Sequence, residues 1–205
     1  MTHTRLIIFS IAFSLIINLN AQFQQGRDYE RIPNPLPIKQ DNKVEVIEVF
    51  WYGCGHCYSF DPVVNKWADK LGKEVTFKKL PVVWGPVHEL HAKLYYTIEA
   101  LGIGDTAHAA VFTSIHRERN FLSNNKAIVQ FLVKLGIEES EINKTMNSFS
   151  VKQKVKRANE LSKRLAIRSV PMMFVDGLYR VQVKGSQNTM LDTVDYLVEM
   201  QKPNS

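Results

Sequence analysis

Cys54 and Cys57 are the only two cysteines of the 205-residue chain, and Gly55 and His56 separate them. A disulfide between them would close a loop too short to restrain much of the unfolded chain, so a purely stabilising bridge is a poor explanation. Three uses of this spacing remain, namely a redox pair, a pair of metal ligands, or covalent attachment of haem. Haem attachment is excluded because it needs histidine directly after the second cysteine, where this chain has Tyr58.

Metal binding is the weaker of the two remaining interpretations. A closed zinc site needs four ligands, whereas Cys54, Cys57 and His56 supply three at most, with no second cysteine pair elsewhere. We therefore expect no metal and no other cofactor, and the redox pair is favoured.

The segments on either side place the cysteines where a strand passes into a helix. Residues 43–51, KVEVIEVFW, are rich in Val and Ile and predict a buried strand. Residues 57–71 carry apolar side chains near a 3.6-residue period and predict a helix, in which Pro62 marks a restart or a kink. Cys54 is thus expected at a helix N-terminus, where free N–H groups stabilise a thiolate and lower its pKa. His56 can add a donor or a positive charge beside that thiolate.

A second informative segment is residues 168–185, RSVPMMFVDGLYRVQVKG. Two β-rich runs, MMFV and LYRVQV, flank Asp176 and Gly177, which predicts a β-hairpin with a short turn. Val170 and Pro171 precede the first run. Composition alone leaves that peptide bond trans, because only about 5 to 6% of X-Pro bonds in folded proteins are cis.

The first 21 residues predict a secretory signal peptide, with Arg5 followed by an apolar run over residues 6–17 and a small residue, Ala21, near the cleavage site. A retained anchor is the alternative, although the run is shorter than the roughly 20 residues that a spanning helix needs. The formal net charge of +6 could suggest nucleic acid. The densest basic run, VKQKVKR at 151–157, alternates with apolar residues at helical spacing, so it predicts the solvated face of an amphipathic helix and no nucleic-acid binding.

In combination and order, these segments resemble the DsbA family, the thioredoxin-fold thiol oxidases of bacterial envelopes. The resemblance covers nearly all of the mature chain and rests on AQFQQGRDYERI, EVFWYGCGHCYSF, the helical stretch before SVP, and MFVDGLY. It implies that Cys54 is the nucleophile, that Cys57 is the buried resolving thiol, and that Pro171 is cis and faces them. The family often has Pro-His between its cysteines, whereas this chain has Gly55 and His56, which leaves the redox potential open.

The resemblance also gives meaning to two charged residues. Glu48 shares a predicted strand face with apolar side chains, so its carboxylate needs a partner or a raised pKa if it is buried. The family places such a glutamate beneath the resolving cysteine with a lysine nearby, and Lys79 is the matching position, with Lys78 pointing the other way. The alternative is a pair of solvated charges at strand ends. The resemblance further implies that Val170 and Pro171 align an extended substrate through backbone contacts.

The chain is therefore predicted to have an α/β, thioredoxin-like fold with an inserted α-helical domain. We predict a signal peptide at 1–21, a redox domain at 22–83 and 159–205, and the inserted helical domain at 84–158. His88 and His91 lie three residues apart and are expected at a rim or in solvent, and His108 and His116 show no informative pattern.

The predicted function is donation of the Cys54–Cys57 disulfide to reduced, unfolded exported proteins in the periplasm. The resemblance implies a DsbB-type membrane quinone reductase that reoxidises the pair, and we expect a monomer. The alternatives are a disulfide isomerase or reductase of the same fold, or a non-catalytic metal-binding or chaperone module.

Overall fold

The computed structural model describes residues 23–37, 43–182 and 185–202, so the predicted signal peptide lies outside the described residues. Its strands and helices follow the chain in this order: β1 (Tyr29–Arg31), β2 (Val44–Phe50), α1 (Gly55–Ala68), β3 (Val75–Pro81), α2 (Pro86–Ala100), α3 (Gly104–His116), α4 (Asn125–Lys134), α5 (Glu139–Met146), α6 (Phe149–Arg164), β4 (Met172–Val175), β5 (Tyr179–Gln182) and α7 (Gln187–Gln201).

One sheet, with the strand order β1-β5-β4-β2-β3, forms the centre of the fold. Strand β2 runs parallel to β3 and antiparallel to β4, and its side chains are almost wholly buried in the hydrophobic clusters on the two faces of the sheet. The predicted buried strand at 43–51 is confirmed. The predicted hairpin is also confirmed, since β4 pairs antiparallel with β5 and the turn residues Asp176 and Gly177 have φ values of 51° and 60°.

Helices cover both faces of the sheet. Helices α1 and α7 pack against one face through a core that includes Phe60, Val64 and Val194. Helices α2 to α6 lie between β3 and β4 in the chain, and Val151 and Val155 of α6 belong to the hydrophobic cluster on the other side of the sheet. The predicted α/β fold with inserted helices is confirmed, and the domain boundaries remain a prediction.

Side chains at the helix starts explain several of the observed boundaries. Asn124, Ser148 and Ser186 precede α4, α6 and α7, and each side chain accepts a hydrogen bond from the backbone N–H three residues later. Helix α1 runs through Pro62 as one element, so the helix does not restart there, and the kink at Pro62 stays a prediction. Among the described residues, no helix is both long and apolar enough to span a membrane.

Candidate active site

Cys54 is the residue that precedes helix α1. Its extended backbone (φ −91°, ψ 115°) turns the chain from β2 into the helix, and its Sγ accepts the backbone N–H of Cys57 at 3.3 Å. Both thiols are free in this structure, but Cys54 is partly exposed whereas Cys57 is fully buried. Only one sulfur of the pair is therefore accessible to a substrate.

The same geometry separates the two thiol pKa values. The hydrogen bond from the Cys57 thiol has the largest effect on the pKa of Cys54, and it lowers that pKa. Partial burial opposes this effect, whereas the backbone N–H groups of Cys57 and His56 and the charge of His56 add to it. Together these influences lower the pKa of Cys54 to about 6. Burial, followed by interaction with Cys54, raises the pKa of Cys57. At neutral pH, Cys54 is a thiolate and Cys57 a thiol. His56 lies exposed at the start of α1 and contributes its charge last among these influences.

The loop before β4 brings Val170 against the cysteines. The Val170–Pro171 peptide bond is cis, and the Val170 carbonyl oxygen lies 3.5 Å from Cys54 Sγ, where it can accept a hydrogen bond from the protonated form of that thiol. Residues 116 positions apart in the chain thus meet, and a backbone carbonyl lies beside the accessible sulfur. Val170 itself stays partly exposed, whereas Pro171 is buried.

Glu48 and Lys79 form the predicted buried pair beneath α1. Glu48 is 1% exposed, and Lys79 Nζ lies 2.7 Å from its Oε2 and 3.0 Å from Asp61 Oδ1. Burial alone would lower the pKa of Lys79, but the two carboxylates raise it above the ordinary value. Lys78 points outward and pairs with Glu45. The expected orientation of both lysines is confirmed, and the alternative of two solvated charges is wrong.

The sequence interpretation missed two members of this cluster, Asp61 and His108. His108 Nε2 lies 3.1 Å from Asp61 Oδ1, and Nδ1 lies 2.8 Å from the Tyr52 hydroxyl. Burial works to raise the pKa of Asp61, but His108 and Lys79 together lower it to about 2. The burial of His108 could have been predicted from the sequence, because His108 lies at helical spacing from Val111 and the other apolar residues that form the buried face of α3.

His91 also differs from expectation, because it is buried instead of lying at a rim. Its Nδ1 accepts a hydrogen bond from Trp51 Nε1 at 3.2 Å, so Nε2 must carry the proton that reaches the Phe121 carbonyl at 3.1 Å. Burial lowers the pKa of His91, which keeps the ring neutral. The His88 ring contacts the Trp51 ring at a tilt of 33°, with ring centres 4.4 Å apart. Within the described ranges, no group of three or more His, Cys, Asp or Glu side chains has the arrangement of a metal site.

Comparison with known proteins agrees with this geometry. Residues 88–198 match the family model described as a DSBA-like thioredoxin domain. The thiol:disulfide interchange protein DsbA of Azotobacter vinelandii is 37% identical over 185 residues, covering 89% of this chain and 86% of its own length. DsbA of Pseudomonas aeruginosa is 33% identical over 197 residues, covering 94% of this chain and 93% of its own.

Solved structures give the same result. A crystal structure of P. aeruginosa DsbA superposes with a TM-score of 0.83 at 34% identity, covering 87% of this chain and 94% of that one. DsbA from Xylella fastidiosa superposes with a TM-score of 0.81 at 28% identity, covering 87% and 97%. With the cysteine pair at the start of α1 and this similarity over most of its length, the chain belongs to the DSBA-like thioredoxin family of thiol:disulfide oxidoreductases.

Proposed function

We propose that this thiol:disulfide oxidoreductase works as a dithiol oxidase, donating the Cys54–Cys57 disulfide to reduced, unfolded proteins after their export. The observation that carries the proposal is the asymmetry of the pair: Cys54 is accessible and has a pKa of about 6, whereas Cys57 is buried and its pKa is raised. Stabilising one thiolate of the reduced pair favours the reduced protein, which makes the disulfide form an oxidant.

The reaction proceeds by two exchanges at sulfur. A substrate thiolate attacks Cys54 Sγ, the Cys54–Cys57 bond breaks, and Cys57 leaves as a thiolate that takes up a proton. A second substrate thiolate then attacks the substrate sulfur of the mixed disulfide, and Cys54 departs as a stabilised thiolate. Two substrate thiols become one disulfide, and the protein disulfide becomes two thiols.

The remaining site residues have supporting roles in this scheme. Val170 and Pro171 bind the extended substrate next to Cys54, a role supported by the position of the Val170 carbonyl. His56 adds positive charge near the Cys54 thiolate. Glu48 acts electrostatically on Cys57 and exchanges protons with it through the pair that it forms with Lys79.

In the cell, the protein works as a monomer in the periplasm, after removal of the predicted signal peptide at 1–21. The relatives to which it is similar bear the DsbA name, which supports this location. A DsbB-type membrane quinone reductase reoxidises the pair. The predicted redox domain at 22–83 and 159–205 carries the cysteines, and the helical domain at 84–158 packs beside them.

The test is stoichiometric oxidation of a reduced, unfolded protein with two cysteines by the purified disulfide form. The wild type should transfer one disulfide for each molecule, while Cys54→Ser should transfer none. Cys57→Ser cannot form the Cys54–Cys57 disulfide, so it should also transfer none. A Cys57→Ser protein that turns over normally, or a wild type that only reduces substrate disulfides, would contradict the proposal.

A further inference from the structure

Helix α6 carries most of the net charge of the chain. It has six cationic side chains and one carboxylate, Glu160, a net charge of +5, whereas all 205 residues together have a formal net charge of +6. Three of its cations have partners inside the protein: Lys154 lies over the Tyr96 ring at 5.9 Å, Arg157 lies 3.7 Å from Glu160, and Arg164 donates to the Pro35 carbonyl oxygen at 3.0 Å. The other three are Lys152, Lys156 and Lys163, and no carboxylate of the described residues lies within ion-pair distance of them.

These three lysines lie in one line along the helix. Positions 149, 152, 156, 159 and 163 follow one another in steps of three and four, so they share one face of α6. The lysines are exposed, and Phe149, which begins the line, is 77% exposed. The side chains through which α6 packs in the core lie on another face of the helix. We call Lys152, Lys156 and Lys163 the lysine stripe.

A groove between α2 and α6 adds a fourth lysine to this surface. It has a volume of about 330 Å³ and is lined by Glu89, Lys93, Lys152, Val155, Lys156 and Asn159. Burial, followed by the charge of Lys152, lowers the pKa of Lys93. Three ammonium groups therefore surround a groove that contains one carboxylate, and an anion bound there would offset their mutual repulsion.

The residue types favour a lipid surface over an acidic protein as the source of that anion. An ammonium group is a point charge on a flexible stem and lacks the fixed fork with which arginine binds a carboxylate, so lysines suit mobile headgroups. Phe149 lies in line with the lysine stripe, and its ring would leave water by entering the boundary between headgroups and acyl chains. A soluble polyanion would leave that ring exposed.

We propose that the lysine stripe and Phe149 dock this protein reversibly on an anionic lipid bilayer, with headgroup phosphates against the ammonium groups and the phenyl ring in the interface. Each lysine near an anionic surface strengthens binding about fivefold. The attachment is therefore weak, requires anionic lipid and is reduced by salt. It goes beyond the proposed redox reaction and does not depend on it.

Sedimentation with lipid vesicles measures this attachment in the processed protein, purified after export. Vesicles of phosphatidylcholine and phosphatidylglycerol in a ratio of about 2:1 should bind the wild type at low salt, whereas vesicles of phosphatidylcholine alone should not. Changing all three stripe lysines to glutamine should weaken binding about a hundredfold. Phe149→Ser should weaken it at least about threefold, because the serine gains nothing from the interface.

The matched control removes the same charge elsewhere, by changing Lys66, Lys70 and Lys73 to glutamine. These exposed lysines lie at the end of α1 and just after it, and α1 packs on the opposite face of the sheet from α6. Binding of this variant should fall by less than about threefold. Both triple variants should transfer disulfides like the wild type in the absence of vesicles, which separates this proposal from the proposed function.

Three results would overturn the proposal. The first is equal weakening by the two triple variants, which would show that only the overall charge matters. The second is binding of the wild type that is the same with and without phosphatidylglycerol. The third is binding to soluble polyglutamate as tight as binding to anionic vesicles, together with an unchanged affinity of Phe149→Ser, which would indicate an acidic protein partner instead.

Discussion

The Cys57 thiol, by donating a hydrogen bond, should be the main cause of the acidity of Cys54. This bond is the largest influence that lowers the pKa of Cys54 to about 6, ahead of the backbone N–H groups and the charge of His56. Cys57→Ala removes the donor and leaves those N–H groups in place. Cys57→Ser keeps a hydroxyl donor at the same position and is the matched control.

The size of the effect follows from the exposure of Cys54. A hydrogen bond to a charged group contributes about 1.5 to 3 kcal/mol, and solvent screening at a partly exposed sulfur favours the lower end of that range. Because about 1.4 kcal/mol corresponds to a tenfold change in the acid constant, Cys57→Ala should raise the pKa of Cys54 from about 6 to about 7. The thiolate fraction at pH 7 should fall from about nine-tenths to about one half.

Thiolate absorbance at about 240 nm and the pH dependence of iodoacetamide alkylation both measure this ionisation. The two Cys57 variants contain a single thiol, so the titration belongs to Cys54 without ambiguity. Equal midpoints for Cys57→Ala and Cys57→Ser would refute the reasoning and assign the acidity to the helix N-terminus.

Three further outcomes test other parts of the structure. Gly55→Pro should raise the free energy of unfolding by about 0.4 to 1 kcal/mol in urea titrations, because Cys54 already has the extended backbone that a following proline requires; a loss of stability would contradict this. Because burial lowers the pKa of His91, wild-type stability should decline as the pH falls below about 6.5, by up to about 1.4 kcal/mol per pH unit. His91→Gln should flatten that decline, and an unchanged slope would argue against a neutral buried ring. Phe149→Ser should change the free energy of unfolding by less than about 0.5 kcal/mol, because Phe149 is 77% exposed. Phe112→Ala should lower it by about 3 to 5 kcal/mol, because Phe112 is 1% exposed. Similar losses of stability in the two variants would contradict the packing of Phe112 in the core.

The sequence predicted those features that depend on burying one face of a strand or helix. Alternation along β2 placed Glu48 among apolar side chains, and the structure buries it at 1% exposure. The Asp176–Gly177 turn was predictable because a two-residue hairpin turn requires positive φ, which Asp and Gly tolerate better than most residues. Both residues have positive φ in the structure. Strand β1 was not predicted, since its three residues gain their extended form by pairing with β5.

Features that depend on long-range contacts were not predictable from local pattern. His91 is buried because Trp51 and the Phe121 carbonyl, 40 and 30 positions away, meet its ring. His108 likewise lies beside Asp61, which belongs to a different helix. Local composition favours a trans Val170–Pro171 bond, so the cis form was expected only from family resemblance.

The reduction potential of the Cys54–Cys57 couple tests the central claim most directly. At pH 7, a fall in the pKa of Cys54 from 9.0 to about 6 stabilises the reduced form by up to about 1.4 kcal/mol, or about 30 mV, before solvent screening. Equilibration with glutathione buffers, followed by thiol alkylation, gives the potential. An oxidase requires a value more oxidising than about −200 mV, and a value near the thioredoxin potential of about −270 mV would contradict the account.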